Sequence, residues 1–485
     1  MSKFQKHYQK QEAKLNKTQL FQRAYKSVLY RELWEDKEID VSSLTGFKGL
    51  SKLPFSSAAD LRRVWEDHSI EDIILTETVG IWHCTSGSMG NKKWLPWTYN
   101  DYHSSRDDVG KVLFQFLKPN DIVMSILLSA PYISGSVPYR ILESTGSLGH
   151  PIEQIVMSPD FVRDSFSLLL KRQPTVLMCT PSLALRMAEE IARNTPQVLK
   201  REAELKGSTK LKIASIITKI KQIKPKRVFK NLRIGFFLAE SLTPFRKAIE
   251  NQFGLEAFDI YAFTEGFGAG YECHEHNGLH FPSLNCILEI IPEKELEKEE
   301  KDPNYLPKTL LLSEVEEGLR GELVITDFKE ALPLVRYRVR DLVEIIATDG
   351  CGCGADVPRL KILGRTDDII NLGVIRFSTI IIDQLLRREF EEGIIHNWEM
   401  VISREGFKPK LRLFIEPESV RDEEKFKQEI FTRLYSFDVF KIGYDSELFV
   451  FDEIQLVDKL KLEIVGQGKT KRVRYAPEFF KEVSF

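Results

Sequence analysis

The sequence predicts an α/β protein in two parts: a large N-terminal unit of parallel and mixed sheets covered by helices, and a smaller α+β unit behind it. Two observations carry this prediction. From Ile73 onward, short apolar runs rich in branched residues (Ile122–Leu128, Val176–Cys179, Leu232–Leu238) alternate with stretches of helical period (Phe161–Lys171, Leu183–Arg193). That alternation is the pattern of βαβ units, in which the helix returns the chain so that successive strands run parallel. After Arg365 the texture changes to short helices and strands, at Ile380–Glu389, Lys410–Ile415, Glu423–Leu434 and Phe449–Val450, over a span of ordinary domain size. The expected division is 1–364 and 365–485, and a chain of 485 residues is longer than a single core usually organises.

Ahead of the strands, residues 1–45 read as amphipathic helix with aromatic anchors at Phe21, Tyr25, Tyr30 and Trp34, closed by the turn-rich Ser42-Ser43-Leu44-Thr45-Gly46. Lys200–Lys230 is lysine-rich, but its apolar residues (Leu211, Ile213, Ile216, Ile217, Ile220, Ile223) recur at helical spacing. It reads as a solvated helix with a buried stripe rather than a nucleic-acid or lipid patch. Pro292–Pro307 is charged and bounded by prolines, and reads as a surface loop between strands. A net charge of −2 and a pI near 6.6 give no field that would draw nucleic acid or an anionic membrane. Residues 1–17 are polar and lack the apolar stretch of a secretory signal, and no apolar window approaches the length of a bilayer span. Six cysteines in so long a chain do not make a disulfide framework, so a reducing cytoplasm is the expected compartment.

Five stretches suggest chemistry. After the apolar Val79–Trp82 comes Cys84-Thr85-Ser86-Gly87-Ser88-Met89-Gly90-Asn91-Lys92-Lys93, where small hydroxyl residues and glycines let N–H and Oγ donors approach phosphate oxygens; a plain turn is the alternative. After the strand-like Ala257–Ile260 comes Tyr261-Ala262-Phe263-Thr264-Glu265-Gly266. It offers a ring to stack on a base, a hydroxyl for a phosphate and a carboxylate for Mg²⁺, although a Thr-Glu pair alone is more often a helix cap. Just upstream, Phe237-Leu238-Ala239-Glu240-Ser241 ends a strand in small and polar residues that suit an adenine edge. Asp341, at the end of Leu332–Arg340, is a carboxylate placed to accept bonds from ribose hydroxyls. Ile362–Val374 contains Arg365-Thr366-Asp367-Asp368 at the domain junction, and Gly466-Gln467-Gly468-Lys469 sets a lysine among glycines, where domain closure can bring it to a developing negative charge.

Taken together and in this order, the stretches resemble the adenylate-forming (AMP-binding) superfamily over nearly the whole chain, and within it the phenylacetate–CoA ligase-like branch. The likeness to that branch rests on several segments: Leu53-Pro54-Phe55 with Asp60-Leu61-Arg62, Cys179-Thr180-Pro181-Ser182, Gly278-Leu279-His280, Lys329-Glu330-Ala331-Leu332-Pro333-Leu334, Cys351-Gly352-Cys353-Gly354, and Gly468-Lys469 with Arg472-Val473. The resemblance implies a large adenylate-forming domain with a small mobile C-terminal lid. The implied reaction is ATP-dependent activation of a carboxylic acid, of aromatic type, to its acyl-AMP, followed by transfer to CoA. Thr85, Ser86, Gly87, Ser88 and Gly90 would then bind the pyrophosphate end of ATP; Ala239, Glu240 and Tyr261 the adenine; Thr264 and Glu265 the α-phosphate and Mg²⁺; Asp341 and Arg365 the ribose. Asp367 would be the pivot of the lid and Lys469 the group that stabilises the adenylation transition state. Members of the branch are often homodimers, and the oligomeric state stays open.

Three positions depart from the superfamily pattern: Met89 stands for a threonine, Asn91-Lys92 for proline–lysine and Arg340 for a glycine. Ile133–Pro138, in the acyl-pocket region, does not match a phenylacetate pocket. Two alternatives stay beside the CoA ligase reading. One is an adenylate-forming enzyme that passes its acyl or adenylyl group to an amine, a protein thiol or another cofactor. The other is a nucleotide-binding regulatory protein, which the joint presence of Glu265, Asp341 and Lys469 disfavours. Finally, Cys273 and His276, His280 four residues on, and Cys351-Gly352-Cys353 offer three thiolates and an imidazole, a tetrahedral set for structural Zn²⁺. Which histidine would ligate stays open, and turn cysteines with no metal are the plainer alternative.

Overall fold

The computed structural model describes residues 3–480 apart from 85–93, 128–132, 158–164, 211, 213–214, 217–222, 240, 244, 264, 267, 303, 366–368, 373–374, 387–389, 391 and 466–468. The chain opens with helices Lys3–Lys17, Leu20–Ala24 and Val28–Glu35. Phe21, Tyr30 and Trp34 are buried in the core of the large unit, while Tyr25 is half-buried and stacks on Trp34 with ring centroids 6.2 Å apart. The expected lead-in is thus a broken helical segment held by three of its four anchors.

Strands of the large unit are β1 (Ile81–Cys84), β2 (Trp94–Trp97), β3 (Ile122–Ile126), β4 (Glu153–Met157), β5 (Val176–Cys179), β6 (Ile234–Phe237), β7 (Glu256–Ala262), β8 (Ala269–Glu272), β9 (Leu279–His280), β10 (Cys286–Pro292), β11 (Leu310–Leu311), β12 (Arg320–Asp327), β13 (Tyr337–Ala347) and β14 (Arg359–Arg365). All but β1 and β2 join in one sheet of order β11-β10-β12-β13-β14-β9-β8-β7-β6-β5-β3-β4. From β4 to β7 the pairing is parallel, and from β7 to β11 it is antiparallel. The parallel half follows from sequence: β5 and β6 are buried along their whole length, as strands covered on both faces must be, and helix Pro181–Lys206 returns the chain between them. That helix starts on a Thr180 side-chain cap with proline in its first turn.

Two expectations fail. Lys200–Lys230 is not one helix with a buried stripe: Pro181–Lys206 closes on Gly207 at φ +60°, and Ile216 is exposed. Pro292–Pro307 is not simply a loop, because Glu293–Lys301 is helical. Glu293 and Glu295 in the first turn and Lys298 and Lys301 in the last suit the helix dipole, while Lys294, Glu299 and Glu300 run against it. The buried carboxylate of Glu295 then accepts from the Tyr305 hydroxyl (2.7 Å) and the Lys308 N–H (3.0 Å).

Beyond β14 come the hairpin of β15 (Ile369–Leu372) and β16 (Ile375–Ser378), then β17 (Gly393–Glu405), β18 (Lys408–Val420), β19 (Val450–Leu456), β20 (Glu463–Val465), β21 (Lys469–Lys471) and β22 (Val473–Tyr475). A four-stranded sheet of order β19-β18-β17-β22 packs with helices Thr379–Leu386, Glu423–Tyr435 and Asp438–Asp445 around a separate core that includes Trp398, Met400, Leu413, Phe426 and Phe440. The β17–β18 turn reaches across to the large unit. There Phe407 is buried in the same core as Leu183 and Phe245, and the Arg404 guanidinium lies 4.3 Å from the Phe245 ring centroid. Among the described residues, no helix is long and apolar enough to cross a membrane.

Candidate nucleotide site and metal centre

Ligands of open α/β sheets bind beyond the carboxyl ends of the parallel strands, and those ends gather most of the described candidate residues. Past β6 the chain turns at Ala239, whose φ of +75° is left-handed, and Ser241 is exposed just beyond. A non-glycine residue held in that region stores strain, which is commonest at functional sites. The end of β7 presents Tyr261 and the exposed Ala262, and Glu265 follows, half-buried. The Tyr261 hydroxyl donates to the Asp341 carboxylate on β13. In the β13–β14 register Asp341 stands directly opposite Arg365. Beside Asp341, Arg340 is also left-handed, at φ +67°, and its guanidinium lies 3.3 Å from the buried Glu322 carboxylate. Two sequence candidates, Tyr261 and Asp341, are therefore in direct contact, and the backbone of a third, Arg365, is paired with Asp341.

The Tyr261 ring is set edge-on against Phe263 and Phe281, with centroids 5.9 and 5.8 Å away. Phe281 can approach because position 270 is glycine; a Cβ there would lie 2.3 Å from its ring. The Tyr337 hydroxyl donates to Glu265 Oε1 at 3.4 Å. Sequence reasoning missed Tyr337 and Phe281: each is an aromatic residue among many, and only the fold places it beside the motif.

Two residues upstream of Tyr261, burial and the nearby Glu272 carboxylate raise the Asp259 carboxyl to about 7. Thr85, Ser86, Gly87, Ser88, Gly90, Glu240, Thr264 and Asp367 lie outside the described residues. Cys84 and Trp94 pair across the β1–β2 hairpin, so the glycine- and serine-rich stretch 85–93 connects two antiparallel strands. Lys469 begins β21 and is paired with Val465, in the C-terminal unit.

The metal candidates divide. Cys273, His280, Cys351 and Cys353 place their ligand atoms within 4.8 Å of one another. Cys273 and Cys351 sulfurs are 3.6 Å apart, and His280 Nε2 is 3.4 Å from Cys273 and 3.7 Å from Cys353. A tetrahedral site with Zn–S bonds of about 2.3 Å has edges of roughly 3.8 Å, so the spacing fits. Burial keeps the His280 imidazole neutral down to about 4, the form that ligates. The same effect raises the Cys273 thiol to about 12, so this thiol would have to give up its proton to a cation.

His276 is not brought to the group. Held at φ +49° in the Cys273–His276 turn, it points its ring to Glu256 (3.1 Å) and Glu272 (3.2 Å) instead. The four clustered ligands come from the end of β8, from β9 and from the β13–β14 connection. A cation there would tie the β8–β9 segment to the β13–β14 connection, within the antiparallel part of the sheet.

No family model matches the chain. Over 386 residues it is 30% identical to the phenylacetate–coenzyme A ligase of Pseudomonas putida, covering 75% of this chain and 72% of that one. It is 23% identical over 463 residues to the phenylacetate–coenzyme A ligase of Aromatoleum evansii, covering 93% and 90%. In fold it is similar to the crystal structure of 2-hydroxyisobutyryl-CoA ligase in complex with 2-HIB-AMP and CoA, with a TM-score of 0.70, 20% identity and coverage of 98% and 90%.

Proposed function

The chain belongs to the phenylacetate–coenzyme A ligase family, and from that premise we propose how its residues divide the work of an AMP-forming acid–thiol ligase. The reaction joins a carboxylic acid to AMP and hands the acyl group to CoA. In the first half, a carboxylate oxygen attacks the α-phosphorus of ATP, and the bond to pyrophosphate breaks. In the second, the CoA sulfur attacks the acyl carbonyl, AMP leaves, and the thiol proton passes to solvent. The mixed anhydride is made because AMP is a far better leaving group than oxide.

The Tyr261–Asp341 hydrogen bond, with Arg365 paired opposite Asp341 along β13–β14 and Glu265 held by Tyr337, carries the assignments. Asp341 accepts hydrogen bonds from the ribose hydroxyls, Arg365 lies across from it, and Tyr261 fixes the Asp341 carboxylate while its ring borders the base with Ala239 and Glu240. Thr85, Ser86, Gly87, Ser88 and Gly90 cradle the departing pyrophosphate, and Thr264 the α-phosphate. A single carboxylate plus nucleotide phosphates suits Mg²⁺, which keeps most of its waters; Glu265 would hold it, and it would supply charge neutralisation at the phosphates. Asp367 is the pivot on which residues 365–485 turn relative to 1–364. That turn delivers Lys469 to the α-phosphate, where its ammonium offsets the charge of the transition state.

The acid is of aromatic or aryl-acetic type; six cysteines in so long a chain fit a reducing cytoplasm, and the likeness to its relatives suggests a homodimer. Cys273, His280, Cys351 and Cys353 hold a structural Zn²⁺. A pyrophosphate-release screen over aromatic, aryl-acetic and fatty acids, with and without CoA, tests this reading. Acid-dependent release with thioester formed only when CoA is present supports it, and release with no acid in the panel overturns it.

A further inference from the structure

Residues 328–336, between β12 and β13, have no regular structure, yet Lys329, Ala331, Leu332, Leu334 and Val335 are all 0% exposed. Buried backbone groups need partners, and these come from distant elements. Arg23 donates to the carbonyls of Phe328 (3.3 Å) and Lys329 (2.9 Å). The Tyr30 hydroxyl donates to the Pro333 carbonyl (3.0 Å) and accepts from the Val335 N–H (2.8 Å). Asp327 Oδ1 accepts from the N–H groups of Lys329 (3.3 Å) and Leu334 (2.9 Å). The segment is therefore fixed from several sides.

From this fixed base the Lys329 ammonium reaches the candidate site. It lies 3.6 Å from Asp327 Oδ2, with both side chains fully buried, and donates to the backbone carbonyl of Glu265. Gly266 lies against the Asp327 member of that pair: a Cβ there would stand 2.9 Å from Asp327 Oδ2 and 2.7 Å from Ile325. The next residue, Glu330, accepts from Thr98 Oγ1 (3.0 Å) and Asn100 Nδ2 (3.1 Å), and its N–H donates to Asp101 (2.8 Å). Those residues follow β2, where the chain leaves the 85–93 stretch. Two consecutive side chains thus join the Glu265 turn to the exit of the phosphate-loop stretch. A buried ion pair is a poor source of stability, since an apolar pair of equal volume often does as well. What the ammonium adds is a directed N–H at the Glu265 carbonyl.

We propose that Lys329, paired with Asp327, is a positioning residue for adenylation: it sets the Glu265–Gly266 turn in register with the segment leaving the phosphate-loop stretch. The proposal rests on the ligase reading and deepens it. Lys329 touches no reacting atom; it acts through Glu265.

The test compares wild type, Lys329→Met and the double variant Asp327→Asn with Lys329→Met. The single variant leaves Asp327 uncompensated and melts lower. The double variant removes both charges, keeps the Oδ1 acceptor for Lys329 and Leu334, and recovers most of the melting temperature. Calorimetric binding of ATP with MgCl₂ weakens about 10- to 100-fold in both variants, the range found when a group supporting a metal ligand is removed. Pyrophosphate exchange falls with it, whereas CoA thioester formation from preformed acyl-AMP keeps the wild-type rate. A double variant that binds MgATP like wild type overturns the proposal, and so does loss of both half-reactions together.

A second measurement needs no variant. MgATP should slow amide exchange in 328–336 together with 260–268, and protection of 260–268 alone contradicts the proposal. If wild type itself exchanges pyrophosphate with no acid, the ligase reading fails, and that result is distinct from either outcome above.

Discussion

Replacing Cys353 by serine separates metal binding from packing. Cys353 is the exposed member of the Cys273, His280, Cys351 and Cys353 group, so the substitution removes a thiolate and almost no buried apolar surface. Without a cation the loss would stay within about 0.5 kcal/mol, as for other surface changes. With one, the arithmetic changes. A ligand that binds only the folded state stabilises it by about 4 kcal/mol at a thousand times its Kd. The four ligands come from two strands and a distant connection, so the unfolded chain offers no such site. If loss of the thiolate raises Kd to near the free metal concentration, that contribution disappears. At about 2–4 °C per kcal/mol, the melting temperature falls by roughly 8–16 °C. The assay is metal analysis of protein purified without added zinc, with thermal melts of wild type and variant in the presence and absence of chelator. The account expects stoichiometric zinc in wild type, a chelator-induced drop that matches the mutational one, and no further drop in the chelated variant. Substoichiometric metal, or a variant that melts like wild type, refutes it.

Three other outcomes follow from the same geometry. Lys469→Ala should abolish acid-dependent pyrophosphate exchange while leaving circular dichroism and melting unchanged; normal exchange would remove the lysine from the mechanism. Arg336 is fully buried against Glu289 at 3.2 Å, so Arg336→Met leaves an uncompensated carboxylate and should reduce stability by about 3–5 kcal/mol, read from the urea midpoint. The raised Asp259 carboxyl keeps its proton in the folded state to about 7, whereas the unfolded chain holds it only to about pH 4. Stability from this group is therefore present below pH 4 and declines as pH rises through 7. Asp259→Asn should flatten that decline, and parallel urea midpoints for variant and wild type across pH 4–8 would count against it.

What the sequence made legible follows from local physics. β5 coincides with Val176–Cys179, and β3 and β6 lie within the runs read as strands, because strands covered on both faces need unbroken apolar residues. In the long antiparallel strand β13 charged residues interrupt the apolar ones, and Asp341, expected at a strand end, stands inside it. The helix at Glu293–Lys301 was hidden because charge and flanking prolines resemble a loop until the Tyr305 and Lys308 contacts to Glu295 are known. In the site, Tyr261, Glu265 and Asp341 could be named from their motifs. Tyr337 and the Asp327–Lys329 pair act from segments remote in sequence, so no spacing rule marks them. The metal set shows the same limit: its cysteines were evident, but only the fold turns His280 inward and His276 towards Glu256 and Glu272.

The most direct test incubates the purified chain with ATP, Mg²⁺ and an aryl-acetic acid, then adds CoA, and follows products by mass spectrometry. The account predicts acyl-AMP and pyrophosphate before CoA is added, then acyl-CoA and AMP in equal amounts afterwards. Formation of ADP and phosphate, or of thioester with no adenylate on the way, would contradict it.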